Sequence, residues 1–111
     1  MGNAGTTSVL PPSFNDLIKE SDKPVLVDFY ADWCGPCKAV SPVIQRLAVE
    51  NKGRFLTIKV DTEKKPELSR QFEITGIPTI MLFHKGRVLM RLSGAYPYEA
   101  LKAEIEKALP S

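Results

Sequence analysis

Cysteine is scarce in this chain, with two in 111 residues. A framework of disulfides that staples a small fold is thereby excluded. Histidine is scarcer still, at one, so the chain cannot supply the usual four Cys/His ligands of a structural zinc site. No run of 18 apolar residues occurs, and no membrane-spanning helix is expected. Neither sign of charge prevails: 15 Lys and Arg stand against 13 Asp and Glu, for a net +2. The basic residues are scattered, so no nucleic-acid partner is implied. No Gly-x-Gly-x-x-Gly segment is present, and no flavin or nicotinamide site is expected. No repeat or linker divides the sequence. A chain of 111 residues with 43% hydrophobic content is one domain, with enough core to fold without cross-links.

The segment from Met1 to Ser8 is small and polar, without the basic start and apolar core of an export signal. A reducing compartment follows as the expectation: the cytoplasm, or an organelle for a processed form. Met1-Gly2-Asn3-Ala4-Gly5-Thr6 also fits the loose pattern for N-myristoylation. The plainer reading is a flexible tail over residues 1–7 ahead of a folded domain over 8–111.

Apolar periodicity sets the expected elements. Phe14, Leu17 and Ile18 recur at helical spacing, with Ser13 as cap. Val25 to Ala31 is apolar on both faces except at Asp28, as suits a strand in the middle of a covered sheet. Cys34 to Asn51 reads as a long helix whose stripe runs through Cys37, Val40, Ile44, Leu47 and Ala48. Pro42 falls inside it, and Gly53 is the expected stop. Phe55 to Val60 is a strand, and Pro66 to Phe72 a short helix opened by proline. Thr79 to Phe83 and Val88 to Leu92 form a hairpin about His84-Lys85-Gly86-Arg87, and Tyr98 to Leu109 is the last helix. A further short strand is expected around Val9-Leu10. The order predicts an α/β fold, a mixed sheet with helices on both faces.

Both cysteines lie in one pentapeptide, Trp33-Cys34-Gly35-Pro36-Cys37, between the first strand and the long helix. Cys-x-x-Cys in that setting reads as a redox dithiol. Residues three apart across a first helical turn meet the Cα separation of about 4.4–6.8 Å that a disulfide needs. At the helix N-terminus, unpaired N–H groups and the dipole favour an anion, so the Cys34 thiol is expected to ionise readily. Pro36 suits the first turn, where its missing N–H is not required. Cys37, one turn inside on the apolar stripe, is expected to be the less accessible thiol. Two inert buried cysteines, or a metal shared between chains, are the competing readings; an intrachain metal site is not expected.

Three other positions stand out. Asp28 is an acid in an apolar strand, six residues before Cys34. Burial raises a carboxyl pKa and can make such a group a proton acceptor near neutrality, while a satisfied buried acid is the alternative. Pro78, in Gly76-Ile77-Pro78-Thr79, marks a strand start. His84, in a hairpin turn, reads as a solvated loop residue.

Taken together, Asp28-Phe29-Tyr30-Ala31, the pentapeptide with Lys38, Pro42, Asp61, Gly76-Ile77-Pro78-Thr79, Gly86 and Gly94-Ala95 resemble the thioredoxin family over about residues 8–109. The stretches at 21–31 and 59–64 are similar to plastid y-type thioredoxins and to some bacterial ones. The resemblance implies the thioredoxin fold and a protein-disulfide reductase. It implies Cys34 as attacking thiol, Cys37 as resolving thiol, Asp28 as the buried acid that assists Cys37, and a cis bond before Pro78. Trp33, Gly35, Pro36, Ile77, Pro78, Gly94 and Ala95 correspond to the surface that docks substrates. It further implies a monomer that needs no cofactor beyond its own disulfide. Its partners would be disulfide-bearing clients and a separate thioredoxin reductase, driven by NADPH or by ferredoxin. The lysine that many members place near the buried acid is expected at position 57, which is threonine here, so Asp28 is expected to lack a lysine partner. An oxidant or isomerase of the same fold, or a docking module without turnover, are the alternatives. Gly35-Pro36 argues against the first, since oxidants of this superfamily commonly carry histidine there.

Overall fold

A computed structural model describes residues 13–110. The expected strand near Val9-Leu10, the tail over 1–7 and the Gly2 pattern lie outside the described residues. The elements follow the sequence order: α1 (Phe14–Glu20), β1 (Val25–Tyr30), α2 (Gly35–Glu50), β2 (Leu56–Asp61), α3 (Pro66–Gln71), β3 (Thr79–His84), β4 (Arg87–Ser93) and α4 (Tyr98–Ala108).

Helix boundaries follow from their caps. Ser13 precedes α1 in extended conformation, and its Oγ accepts the Asp16 N–H at 3.1 Å. The long helix α2 continues past Pro42 to Glu50, within one residue of the expected end at Asn51. Asn51 is its cap, with Nδ2 donating to the Leu47 carbonyl at 2.7 Å and Oδ1 accepting from Arg54 at 2.7 Å. Gly53, the expected stop, sits in the turn beyond at φ +87°.

Among the described residues the sheet has the order β2-β1-β3-β4. β1 pairs with β2 in parallel and with β3 antiparallel, and β3 pairs with β4 antiparallel as a hairpin. The hairpin turn puts Gly86 at φ +81°, a conformation glycine adopts without strain, and its N–H donates to the Ile18 carbonyl at 2.8 Å. β1 is central, which accounts for its nearly continuous apolar run.

Alternation along the strands sends side chains to two cores. Leu26, Ile80 and Leu82 pack with Val40, Ile44 and Leu47 of α2 and with Leu101 and Ile105 of α4. Val25, Val27, Phe29, Met81 and Phe83 pack with Ile18 of α1 and Leu68 of α3 on the other face. Leu101 and Ile105, at 0% and 1% exposed, each contribute on the order of 2–3 kcal/mol by leaving water. Phe14 and Phe72 close the second core edge-on against Phe83, with ring centroids 5.9 and 5.3 Å from it. Helices therefore cover both faces of a mixed sheet, as the sequence predicts.

This topology gathers three distant segments at one end of the sheet. β1 ends there and runs into Cys34. Because β3 is antiparallel to β1, its first residue, Thr79, pairs with Phe29 and brings Ile77-Pro78 to the same end. Ser93, the last residue of β4, pairs with Thr79, and the Gly94 N–H donates to the Pro78 carbonyl at 2.9 Å.

Candidate active site

Cys34 is the N-cap of α2, in extended conformation, with its own N–H bonded to the Ala31 carbonyl at 3.1 Å. Its Sγ accepts the Cys37 N–H at 3.1 Å. Cys34 and Cys37 are joined as a disulfide with Cα atoms 5.3 Å apart, inside the expected range. When the bond is reduced, the same N–H faces the Cys34 sulfur and favours its thiolate, as does the positive end of a 16-residue helix. No acidic residue lies in the first turn of α2 to offset this.

Whole-residue exposure does not separate the two cysteines. Cys34 and Cys37 are each 4% exposed. The helix stripe accounts for Cys37. Cys34 is covered by a segment 43 residues away: its Sγ lies 3.8 Å from the Ile77 carbonyl oxygen, and Ile77 packs against the pair with Ala31 and Tyr30.

The Ile77–Pro78 peptide is cis. Pro78 is buried, while Ile77 and Gly94 are half-buried. Trp33, Gly35, Pro36 and Ala95 are exposed, and Trp33 at 70% is the most exposed large apolar side chain among the described residues. Trp33 and Pro36 thus leave apolar surface open next to the disulfide, and Ile77 packs against the pair from the other segment. Arg91, which sequence reasoning passes over, steadies that segment from behind. Its guanidinium donates to the carbonyls of Phe72 and Glu73, at 2.5 and 2.7 Å, in the segment that leads to Ile77.

Asp28 points to the face that α2 covers, the face shared by Leu26, and is 1% exposed. Neither carboxylate oxygen has a hydrogen-bond partner among the described residues. Burial raises its pKa to about 6, and the Lys59 ammonium acts in the opposite sense. Among the described residues Asp28 thus has no lysine in hydrogen-bond contact, but Lys59 rather than position 57 supplies the cation that acts on it through space. The register of the parallel pair sets Lys59 directly across from Asp28, whereas Thr57 is across from Leu26. The period-2 alternation of β2 already places Thr57, Lys59 and Asp61 on one face; what it lacks is the register.

A small pocket of about 100 Å³ opens beside Cys37, lined by Tyr30, Ala31, Asp32, Lys38, Ser41 and Lys59. Cys37 and Lys59 thus share one small pocket. His84 stands apart at the far end of β3, with Nε2 against the Asp22 carbonyl at 3.1 Å. Among the described residues, no cluster of three His, Cys, Asp or Glu side chains is placed to hold a metal ion.

Residues 5–107 match the family model described as Thioredoxin. The chain is 44% identical over 97 residues to Thioredoxin 1 of Chlorobaculum tepidum, covering 87% of this chain and 96% of that one. It is equally identical, over 97 residues, to Thioredoxin Y2, chloroplastic, of Arabidopsis thaliana, covering 87% of this chain and 58% of that protein. It is 41% identical over 110 residues to the bifunctional thioredoxin reductase/thioredoxin of Mycobacterium leprae, covering 98% of this chain and 24% of that protein. A match that spans nearly the whole chain, and includes the disulfide at the head of α2, means that the protein belongs to the thioredoxin family, the protein-disulfide oxidoreductases that act by dithiol–disulfide exchange.

Proposed function

We propose that Cys34 attacks the client disulfide and Cys37 resolves the product, with Asp28 as the proton acceptor for Cys37. The Cys34 thiolate displaces one client sulfur as a thiolate and forms a mixed disulfide with the other. The Asp28 carboxylate takes the proton of the Cys37 thiol, directly or through water. The Cys37 thiolate attacks Cys34 Sγ, the Cys34–Cys37 bond forms, and the second client sulfur leaves as a thiolate. The client gains two electrons and the protein loses two. The observation that carries the reading is the Cys37 N–H on Cys34 Sγ at a helix N-terminus, which favours the outer thiolate over the inner one.

Trp33, Gly35, Pro36 and Ala95, with Ile77, Pro78 and Gly94 as wall, dock the client as a flat apolar surface. The redox disulfide is the only group the chemistry calls for, and the protein works as a monomer. A separate reductase, drawing on NADPH or on ferredoxin, returns the disulfide to the dithiol; the fusion of both functions in the Mycobacterium leprae relative supports such a pairing. Its place is the cytoplasm or the interior of an organelle.

A redox titration against glutathione tests the direction of exchange. The reductase reading expects the dithiol to reduce glutathione disulfide, with equilibrium far toward oxidised protein. A protein whose disulfide is instead reduced by glutathione, leaving the dithiol and glutathione disulfide at equilibrium, would be an oxidant of the same fold.

A further inference from the structure

Lys59 is an exposed lysine with an unusually defined position. Its Nζ donates to Ser41 Oγ at 3.4 Å and lies 4.4 Å from the centre of the Tyr30 ring. Both partners line the pocket beside Cys37, and Ser41 follows Cys37 by one helical turn on the same side of α2. A free lysine samples many rotamers, so its charge is spread over a large volume. Here a hydroxyl and an aromatic face hold it on the side of the strand pair where Asp28 is buried.

We propose that Ser41 is a positioning residue for the resolving step: with the Tyr30 ring, it holds the Lys59 ammonium at the mouth of the Cys37 pocket, where that charge keeps Asp28 available as a carboxylate. The proposal rests on the reading of Asp28 as proton acceptor. A protonated Asp28 cannot take the Cys37 proton, so the fraction ionised sets how often the step succeeds. The opposing effects of burial and of Lys59 on Asp28 agree with this geometry. The charged and titratable groups facing Lys59 are Asp28 and Tyr30 on β1, Asp32 in the loop beyond, Cys37 and Lys38 on α2, and Asp61 on β2 itself. Ser41, which does not titrate, is the hydrogen-bond partner of the ammonium.

The test is a carboxyl-carbon NMR titration of Asp28 in the oxidised protein, paired with the pH–rate profile of insulin reduction. Ser41→Ala is expected to move the Asp28 midpoint and the acid limb upward by about 0.3 pH unit, a roughly twofold loss of rate below the midpoint. Lys59→Gln is expected to move both further in the same direction. Ser41→Thr keeps the hydroxyl and is expected to titrate as the wild type. The double variant Ser41→Ala/Lys59→Gln is expected to match Lys59→Gln alone. A wild-type titration in Ser41→Ala, or an equal Ser41→Ala shift when Lys59 is already glutamine, overturns the proposal. Asp28→Asn separates the two levels of the argument. If it flattens the acid limb while Ser41→Ala leaves that limb in place, only the role of Ser41 fails. If it leaves the acid limb unchanged, the proton-acceptor reading fails and this inference with it.

Discussion

Asp28 and Lys59 face one another across the parallel β1/β2 pair, the acid buried with both oxygens unpartnered and the lysine held at the surface over the Tyr30 ring. The pairing fixes an acid where water is scarce and a cation where water is plentiful. Burial then dominates, and the carboxyl titrates near the pH at which exchange must work.

Asp28 should make stability depend on pH. Its pKa is 3.8 when exposed and about 6 in the fold. Between those values the folded protein binds a proton that the unfolded chain has released. The stability associated with Asp28 is therefore fully present below about pH 4 and is lost as the pH rises through about 6, a loss of about 3 kcal/mol. Asp28→Asn removes the ionised form. Denaturant midpoints should show the variant more stable by up to about 3 kcal/mol at pH 8 and nearly equal to the wild type at pH 4. A gain of the same size at both pH values would mean that Asp28 does not titrate this way.

Thr57 carries a hydroxyl oxygen that is buried without a partner among the described residues, on the same side of β2 as Lys59. An unpartnered buried hydroxyl is unfavourable by about 1–3 kcal/mol, and valine has nearly the same shape. Thr57→Val should raise the urea midpoint, with unchanged slope, by the equivalent of about 1 kcal/mol. A loss of stability instead would show that the hydroxyl is bonded in solution.

Trp33 is 70% exposed beside a disulfide that is almost covered, so its apolar surface is free to be buried by a client. Trp33→Ala should raise KM for insulin by roughly tenfold, from about 1–2 kcal/mol of lost burial, with kcat little changed. Reduction of a small disulfide such as oxidised lipoamide, which covers little of that surface, should change less. Equal losses for both substrates would place Trp33 in the chemistry rather than in docking.

Much of this was legible in the residues before any coordinates. Apolar periodicity gives the eight described elements in order, because each spacing matches one backbone period. Capping chemistry gives the start of α1 at Ser13, and Cys-x-x-Cys at a strand-to-helix junction gives the dithiol. The remainder depends on contacts between segments far apart in sequence. Lys59 looks like one more surface lysine until the β1/β2 register puts it across from Asp28. The low exposure of Cys34 comes from Ile77, and no local pattern near residue 34 encodes that. The cis bond before Pro78 enters the sequence reading only through the family resemblance. The end of α2 is legible to within one residue, but the side-chain cap that Asn51 provides is not signalled by the glycine at 53.

The central claim is the division of labour between the two sulfurs, and trapping tests it most directly. Cys37→Ser and Cys34→Ser variants, each reduced and incubated with a disulfide-bearing client, would be followed by non-reducing electrophoresis and intact-mass measurement. The account predicts a stable mixed disulfide through Cys34 in the Cys37→Ser variant and almost none in the Cys34→Ser variant. Equal adducts from both, or insulin reduction at the wild-type rate by both, would contradict it.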